Sequence, residues 1–257
     1  MATQLILTAL SGLPLIRPGD DLVNLVRLGL EREGIALAPG DVIVLAQKVV
    51  SKAEGRLVNL AEVRPSEAAV RLAGEVGKDP RLVEVILSES RGVLRTRPGM
   101  IIVEHRLGFV CANAGVDHSN VRGEGGRAED WVLMLPADPD ASARLFRQRM
   151  GQATGIDVGT LVIDSHGRAW RKGTVGVAIG VAGFPALVDL RGRPDLFGYR
   201  LQSTEVGLAD EIAAAASALM GQADESRPVV HVRGVPYPLR DGSLSELLRP
   251  AKEDLFR

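Results

Sequence analysis

Apolar positions along this chain recur with two periods, and the changes of period divide it into elements. The opening "TQLILTAL" reads as a strand, and "SGLPLIRPGDDL" turns the chain into a helix capped by Asp20 or Asp21. That helix carries Leu22, Val23, Val26, Leu28 and Leu30 at near-helical spacing. After the turn at "APGD", Val42 to Ala46 form an unbroken apolar run, read as a buried strand that exits at Gln47 and Lys48. Two helices follow, "RPSEAAVRLAGEVG" with Ser66 as N-cap and "DPRLVEVILSES" with Pro80 at its first position. Two or three strands are expected around "MIIVEHRLGFVCANAGV", then a helix in "ADPDASARLFRQRMGQATG" that begins near Pro139 or Asp140. From Val158 the chain turns rich in Val and Gly, which predicts a meander or long hairpins. An alanine-rich helix over Ala209–Leu219 and a strand over Val229–Val232 come next, and the tail "SLSELLRPAKEDLF" reads as a short helix.

Composition narrows the picture. The 257 residues suffice for one large core or two modest ones, and 29 Gly with 14 Pro favour many short elements over a helical bundle. Lys and Arg number 31 against 32 Asp and Glu, a balance that offers no field for nucleic acid or a membrane surface. Aromatic residues are only 4%, too few for base-stacking platforms. Cys111 stands alone, which excludes an intrachain disulfide and a cysteine-based zinc cluster. The N-terminus lacks a basic segment and a cleavage site, and apolar runs stop well short of the roughly 20 residues of a membrane span. A cytoplasmic protein of mixed α and β structure is the expectation.

Four places gather polar side chains beside apolar runs. Gln47, Lys48, Ser51 and Lys52 follow the Val42–Ala46 strand and could grip phosphate oxygens, although lysines there could equally be solvated edge charges. No GxxxxGK[ST] and no GxGxxG after a strand occur, so this is neither a P-loop nor a dinucleotide fold. In "FVCANAGVDHSNV", Asp117 is the natural hard-cation ligand with Asn120 beside it; a plain polar turn is the competing reading. With four histidines scattered at 105, 118, 166 and 231, zinc is weakly supported. In "LVIDSHGRAWRKG", Asp164 ends an apolar strand, and Ser165, Arg168, Arg171 and Lys172 follow. A carboxylate, a hydroxyl and cations in that order suit a magnesium–phosphate site, unless "SHGR" is simply a hairpin turn. Finally, "MGQADESRP" leaves Gln222, Asp224 and Glu225 on the loop after a helix. His118 and His166 could position groups or merely hydrogen-bond within their loops, and Cys111 has no base nearby in sequence to activate it.

Taken in order, "GLPLIRPGDDL", "GDVIVLAQKVVSKAEGR", "FVCANAGVDHSNV", "LPADPDASA", "DSHGRAWRKGTVGVAIG" and "ADEIAAAASALMGQADE" resemble the coenzyme F420-0:L-glutamate ligases, or F420:gamma-glutamyl ligases, over about residues 5 to 245. The resemblance implies an α+β (mixed α/β) two-lobed fold that is not P-loop, Rossmann or ATP-grasp, and a homodimer. It implies GTP-dependent amide formation, joining L-glutamate to the lactyl-phospho deazaflavin coenzyme F420-0 and then to the gamma-carboxyl. The route it implies runs through an acyl phosphate. Mg²⁺ or Mn²⁺, one ion or two, and K⁺ belong to the same implied scheme. Carried over by position, Leu13, Pro14, Leu15 and Ile16 match the first nucleotide contact, and Gln47, Lys48 and Lys52 the second. Asn120 and the loop Met220, Gly221, Gln222, Ala223, Asp224, Glu225, Ser226 and Arg227 complete the nucleotide set. Asp117, Asp164, Ser165 and Gln222 fall on metal positions. Asp117 and Asp164 are thereby assigned to catalysis, and Arg168 and Arg171 are assigned to phosphate or to the acidic substrates. Residues 1–80 with 165–250 are expected to form the main lobe and 81–164 an inserted second lobe. The competing functions are a related amide-forming ligase with another acceptor and a non-catalytic nucleotide-binding module.

Overall fold

In the computed structural model, which describes residues 4–254, the chain runs through twelve strands and six α-helices. In order these are β1 (Ile6–Ala9), α1 (Leu22–Arg32), β2 (Val42–Ala46), α2 (Gln47–Ala53), β3 (Leu57–Asn59), α3 (Glu67–Val76), α4 (Pro80–Ser88), β4 (Ser90–Arg97) and β5 (Met100–His105). There follow β6 (Val110–Ala112), β7 (Trp131–Leu133), α5 (Pro139–Thr154), β8 (Gly159–Arg168), β9 (Arg171–Ala182), β10 (Val188–Asp189), β11 (Glu205–Val206), α6 (Leu208–Met220) and β12 (Val229–Arg233). The predicted caps are in place. Asp21 accepts from the N–H groups of Val23 and Asn24, Ser66 from Ala69, and Asp79 from Arg81, with Pro80 and Pro139 opening their helices.

A five-stranded sheet in the order β1-β12-β2-β8-β9 carries the larger core. Only β2 and β8 are parallel; the other neighbours run antiparallel. Helices cover both faces, which explains why β2 is apolar at every position and not alternating. Ile43 and Leu45 join Phe146 and Met150 of α5 on one side, while Val42 and Val44 join Ala209, Ile212 and Ala216 of α6 on the other. The small side chains of α6 let it approach closely. A Cβ at Gly176 of β9 would stand 2.5 Å from the Ala213 carbonyl oxygen, so that crossing point requires glycine.

A second packing unit spans β3 to β7. Its sheet β4-β5-β6 buries Ile101, Val103 and Cys111 under Ala69, Ala73, Val83 and Ile86 of α3 and α4. The β3–β7 pair closes it through Leu60, Val85 and Val132. These pairings move the lobe boundaries from 81 and 164. Residues 159–164 belong to the central sheet through β2, and residues 57–80 pack with the second unit.

Gln47, Lys48, Ser51 and Lys52 lie on helix α2, an element that periodicity did not disclose, because the chain bends straight from β2 into a helix. Three further expectations need correction. Strand β8 runs on through Asp164 to Arg168, so Asp164 sits within a strand and the hairpin turns at Ala169–Trp170. The Val/Gly-rich stretch makes one long hairpin and ends at Ala182. Only the two-residue pair β10–β11 follows before α6. The tail forms short 3-10 turns at Leu244–Glu246 and Ala251–Glu253, and Pro250 between them cannot continue a helix; Leu255, Phe256 and Arg257 fall outside the described residues. No helix among the described residues is long and apolar enough to cross a membrane.

Candidate active site

A bulge lies across from β8 just before Asp164. The register with β9 shifts between Val162 and Ile163, leaving Ile179 as an extra residue on β9. A bulge frees backbone N–H groups, and here half-buried carboxylates take them. Asp210 at the start of α6 accepts from the Ala178 N–H at 2.9 Å, and Asp140 at the start of α5 accepts from Val181 at 2.7 Å. Burial pushes both carboxyls above the ordinary aspartate value. Alternation along β8 then sets Asp164 on the same side as Val162, where a cleft of about 740 Å³ opens.

Five pieces of chain wall this cleft: Leu13–Ile16, the β2–α2 junction, the segment after β6, the middle of β8, and the loop after α6. Helix α2 places Lys48 and Lys52 one turn apart on one face. Lys48 Nζ lies 2.7 Å from Asp117 Oδ2, and it donates to the Ser119 carbonyl at 2.8 Å and to Ser119 Oγ at 2.5 Å. Lys52 Nζ donates to the Asn120 carbonyl at 2.7 Å. Burial, and then the charge of Lys48, hold the Lys52 pKa below that of a free lysine. Burial alone would raise Asp117. The Lys48 hydrogen bond and the Ser119 N–H, 2.8 Å away, outweigh it, so its carboxyl titrates below the usual aspartate value.

On the opposite wall, Ser165 Oγ donates to Gln222 Oε1 at 2.8 Å, and Gln222 Nε2 donates to Ser217 Oγ at 3.1 Å. Asn120 Nδ2 reaches across to the Ala223 carbonyl at 2.9 Å, tying the two loops together. His166 Nε2 stands 3.1 Å from Asp164 Oδ2, with its ring tilted against Phe109 at 5.4 Å. Cys111 lies close enough for the Asp164 charge to act on it. Burial first, and that charge second, push its thiol up to about 12, which excludes a thiolate nucleophile. The wall residues Asn113, Asn120 and Ser226, and Ala114 behind the wall, hold left-handed backbone with φ between 51 and 56°. Such geometry costs energy for residues with a Cβ and persists where surrounding contacts impose it.

The residues expected from sequence mostly converge here. Leu13 to Ile16, Gln47, Lys48, Lys52, Asp117, Asn120, Asp164, Ser165 and the whole of Met220–Arg227 line the one cleft. Arg168 and Arg171 do not. They face each other across the tip of the β8–β9 hairpin, exposed, with Arg168 donating to the Lys172 carbonyl at 3.1 Å. Extension of β8 beyond Asp164 carries them away from the cleft, and His118 is likewise absent from its walls. Sequence reasoning missed the left-handed turn Asn113–Gly115, whose Asn and Gly were its available signal. It also missed Ser217 and Arg122, which line the cleft without any recognisable motif.

Among the described residues no three His, Cys, Asp or Glu side chains cluster to hold a metal. The cleft offers instead two aspartates with the neutral oxygens of Ser165 and Gln222. An all-oxygen, incomplete donor set fits a hard divalent cation that draws further ligands from phosphate and water, and does not fit a structural zinc.

A profile of the family described as F420-0:Gamma-glutamyl ligase matches residues 12–234. Among curated proteins, the chain is 47% identical to the Coenzyme F420:L-glutamate ligase of Methanothermobacter thermautotrophicus over 98% of each chain. Proteins of the same name from Methanopyrus kandleri and Methanocaldococcus jannaschii are 47% and 43% identical. Those two alignments cover 94% and 95% of this chain and 93% and 94% of theirs.

Proposed function

This chain belongs to the F420-0:gamma-glutamyl ligase family, and from that premise we propose that it joins L-glutamate to coenzyme F420-0 at the expense of GTP. The observation that carries the reading is the meeting, in one cleft, of two aspartates, two lysines and the loop after α6, all from distant parts of the sequence. In the proposed reaction an oxygen of the acceptor carboxylate attacks the γ-phosphorus of GTP, the bond to GDP breaks, and an acyl phosphate forms. The glutamate amine then attacks the acyl carbon, loses a proton, and inorganic phosphate departs. Further glutamates would add through the gamma-carboxyl in the same way.

Such chemistry asks the protein for alignment and charge, with little covalent participation. The Lys48 and Lys52 ammonium groups would face the phosphates from helix α2, and Met220–Arg227 with Leu13–Ile16 would wrap the nucleotide. Asp117, Asp164, Ser165 and Gln222 would hold Mg²⁺ or Mn²⁺. When bound, that ion neutralises charge on the phosphoryl group being transferred. Arg168 and Arg171 have no part in this scheme, since they lie outside the cleft. The exposed Leu196 and Phe197, with Tyr199 beside them, supply apolar surface that supports a homodimer as the working unit.

Mass spectrometry of a reaction with F420-0, GTP, Mg²⁺ or Mn²⁺ and L-glutamate tests the proposal. A product heavier by one or more glutamyl residues, formed with GDP and abolished by a chelator, is the expected result. Product only with a different acid would replace the acceptor, and nucleotide binding without turnover would reduce the protein to a binding module.

A further inference from the structure

Five side chains that carry or can carry positive charge line the cleft: Lys48, Lys52, Arg122, His166 and Arg227. Three are engaged by the protein itself: Lys48 pairs with Asp117, Lys52 with the Asn120 carbonyl, and His166 with Asp164. Arg227 has the Glu225 charge nearby but no ion pair or hydrogen bond among the described residues. Among the described residues nothing engages the Arg122 guanidinium: no ion pair, hydrogen bond or ring contact of its side chain occurs. The residue is exposed, but its backbone is held on both sides. Val121 before it is buried, and Gly123 after it lies against the Trp131 ring so closely that a Cβ would stand 2.1 Å from it. Two residues earlier, left-handed Asn120 is fastened by its side chain to Ala223 and by its carbonyl to Lys52. The Arg122 backbone is therefore fixed at the cleft wall, with five N–H donors unspent.

We propose that Arg122 receives a carboxylate of an acidic co-substrate and so sets the requirement for an acidic amino acid or acceptor. This rests on the ligase reading above. A guanidinium fork matches a planar carboxylate bidentately, where an ammonium offers only a point charge. In the proposed scheme Lys48, Lys52 and the cation site meet the nucleotide phosphates, which leaves the unspent fork to the other reactants. A neutral amino acid would leave the fork unpaired once water is displaced, and that penalty gives discrimination.

The test compares wild type, Arg122→Ala and Arg122→Lys, varying L-glutamate, F420-0 and GTP separately. Loss of a charge-assisted pair should raise KM for L-glutamate or for F420-0 by about 10- to 100-fold. Whichever KM moves identifies which molecule brings the carboxylate. Arg122→Lys should recover only part of the loss, and KM for GTP should not change. Glutarate, a dicarboxylate that cannot be ligated, gives a reading independent of turnover: it should raise the melting temperature of wild type and not of Arg122→Ala. Wild type without any product sinks the ligase reading alone. Failure of glutarate to bind wild type, equal glutarate response in the two proteins, or a rise in KM for GTP matching that for the acids would overturn the role of Arg122.

Discussion

Lys48 and Asp117 sit 2.7 Å apart at a site proposed to take both a cation and phosphate. Each neutralises the other in the structure, so binding a metal nucleotide exchanges one ion pair for two, and neither charge is ever buried alone. Among the described residues Lys52 has no carboxylate partner and gives only a carbonyl hydrogen bond, which leaves most of its charge for a ligand. Lys52→Ala is expected to weaken GDP binding about tenfold with little change in melting temperature, measured by calorimetric titration. An unchanged affinity would make Lys52 a strut for the Asn120 loop. Asp164→Asn keeps the shape of the strand and its neighbour His166, so the fold should melt as wild type. Metal-dependent turnover should fall by roughly 100-fold or more, because a neutral amide cannot replace a carboxylate on a hard cation. Near-normal GDP release from that variant would remove Asp164 from the reaction. At this scale the sequence was informative about ligand type: aspartates beside apolar runs and lysines after one were visible as chemistry. It was silent on Arg122, since an isolated arginine in a glycine-rich loop looks like any solvated charge.

Elements hold these residues in place through a few dense contacts. The bulge in β9 is one, with Asp210 and Asp140 filling the gaps in the ladder from two helices. Another is Glu89 at the end of α4. It meets Arg56 at 3.0 Å and Arg106 at 2.9 Å, while Arg56 also donates to the Leu135 carbonyl and Arg106 to Ala137. This knot joins the exit of α2, the helices of the second unit and the segment after β7 that returns to the first. Burial opposes ionisation of Glu89, but the His105 ring 3.6 Å away, the Arg106 hydrogen bond and the charge of Arg56 outweigh it, lowering its pKa from 4.5 to about 2. The folded value lies below the unfolded one, so the stabilisation is fully present above pH 4.5 and is lost as pH falls through about 2. Denaturant melts between those limits should show stability dropping with acid in wild type. Glu89→Gln should be less stable at neutral pH by about 3 kcal/mol and flatter across the acid range. A flat wild-type profile would refute the ion pairing. Periodicity and caps located almost every helix, but not α2, whose Ala46 N-cap makes no side-chain bond. The extension of β8 through Asp164 was also hidden, because it is pairing with β9 that keeps "SHGR" extended.

At the scale of the whole molecule, two packing units meet at a cleft to which neither contributes a complete site. The first supplies α2, β8 and the loop after α6; the second carries, between β6 and β7, the segment 113–122 that brings Asp117 and Asn120 across. The sequence reading put residues 57–80 and 159–164 with other partners than the strand pairings and core clusters give them. Long-range pairing of β2 with β8, more than a hundred residues apart, leaves no local trace. If the exposed Leu196–Tyr199 surface serves a homodimer, light scattering should return twice the 27.4 kDa chain mass, and Phe197→Ser should shift it toward the monomer. The central claim is that Asp117 and Asp164, from the two units, grip one cation together with the nucleotide. Mn²⁺ affinity in the presence of a non-hydrolysable GTP analogue, measured by paramagnetic resonance for wild type, Asp117→Asn and Asp164→Asn, tests it most directly. Each substitution should weaken Mn²⁺ by about tenfold or more; undiminished affinity in either variant would contradict a shared site.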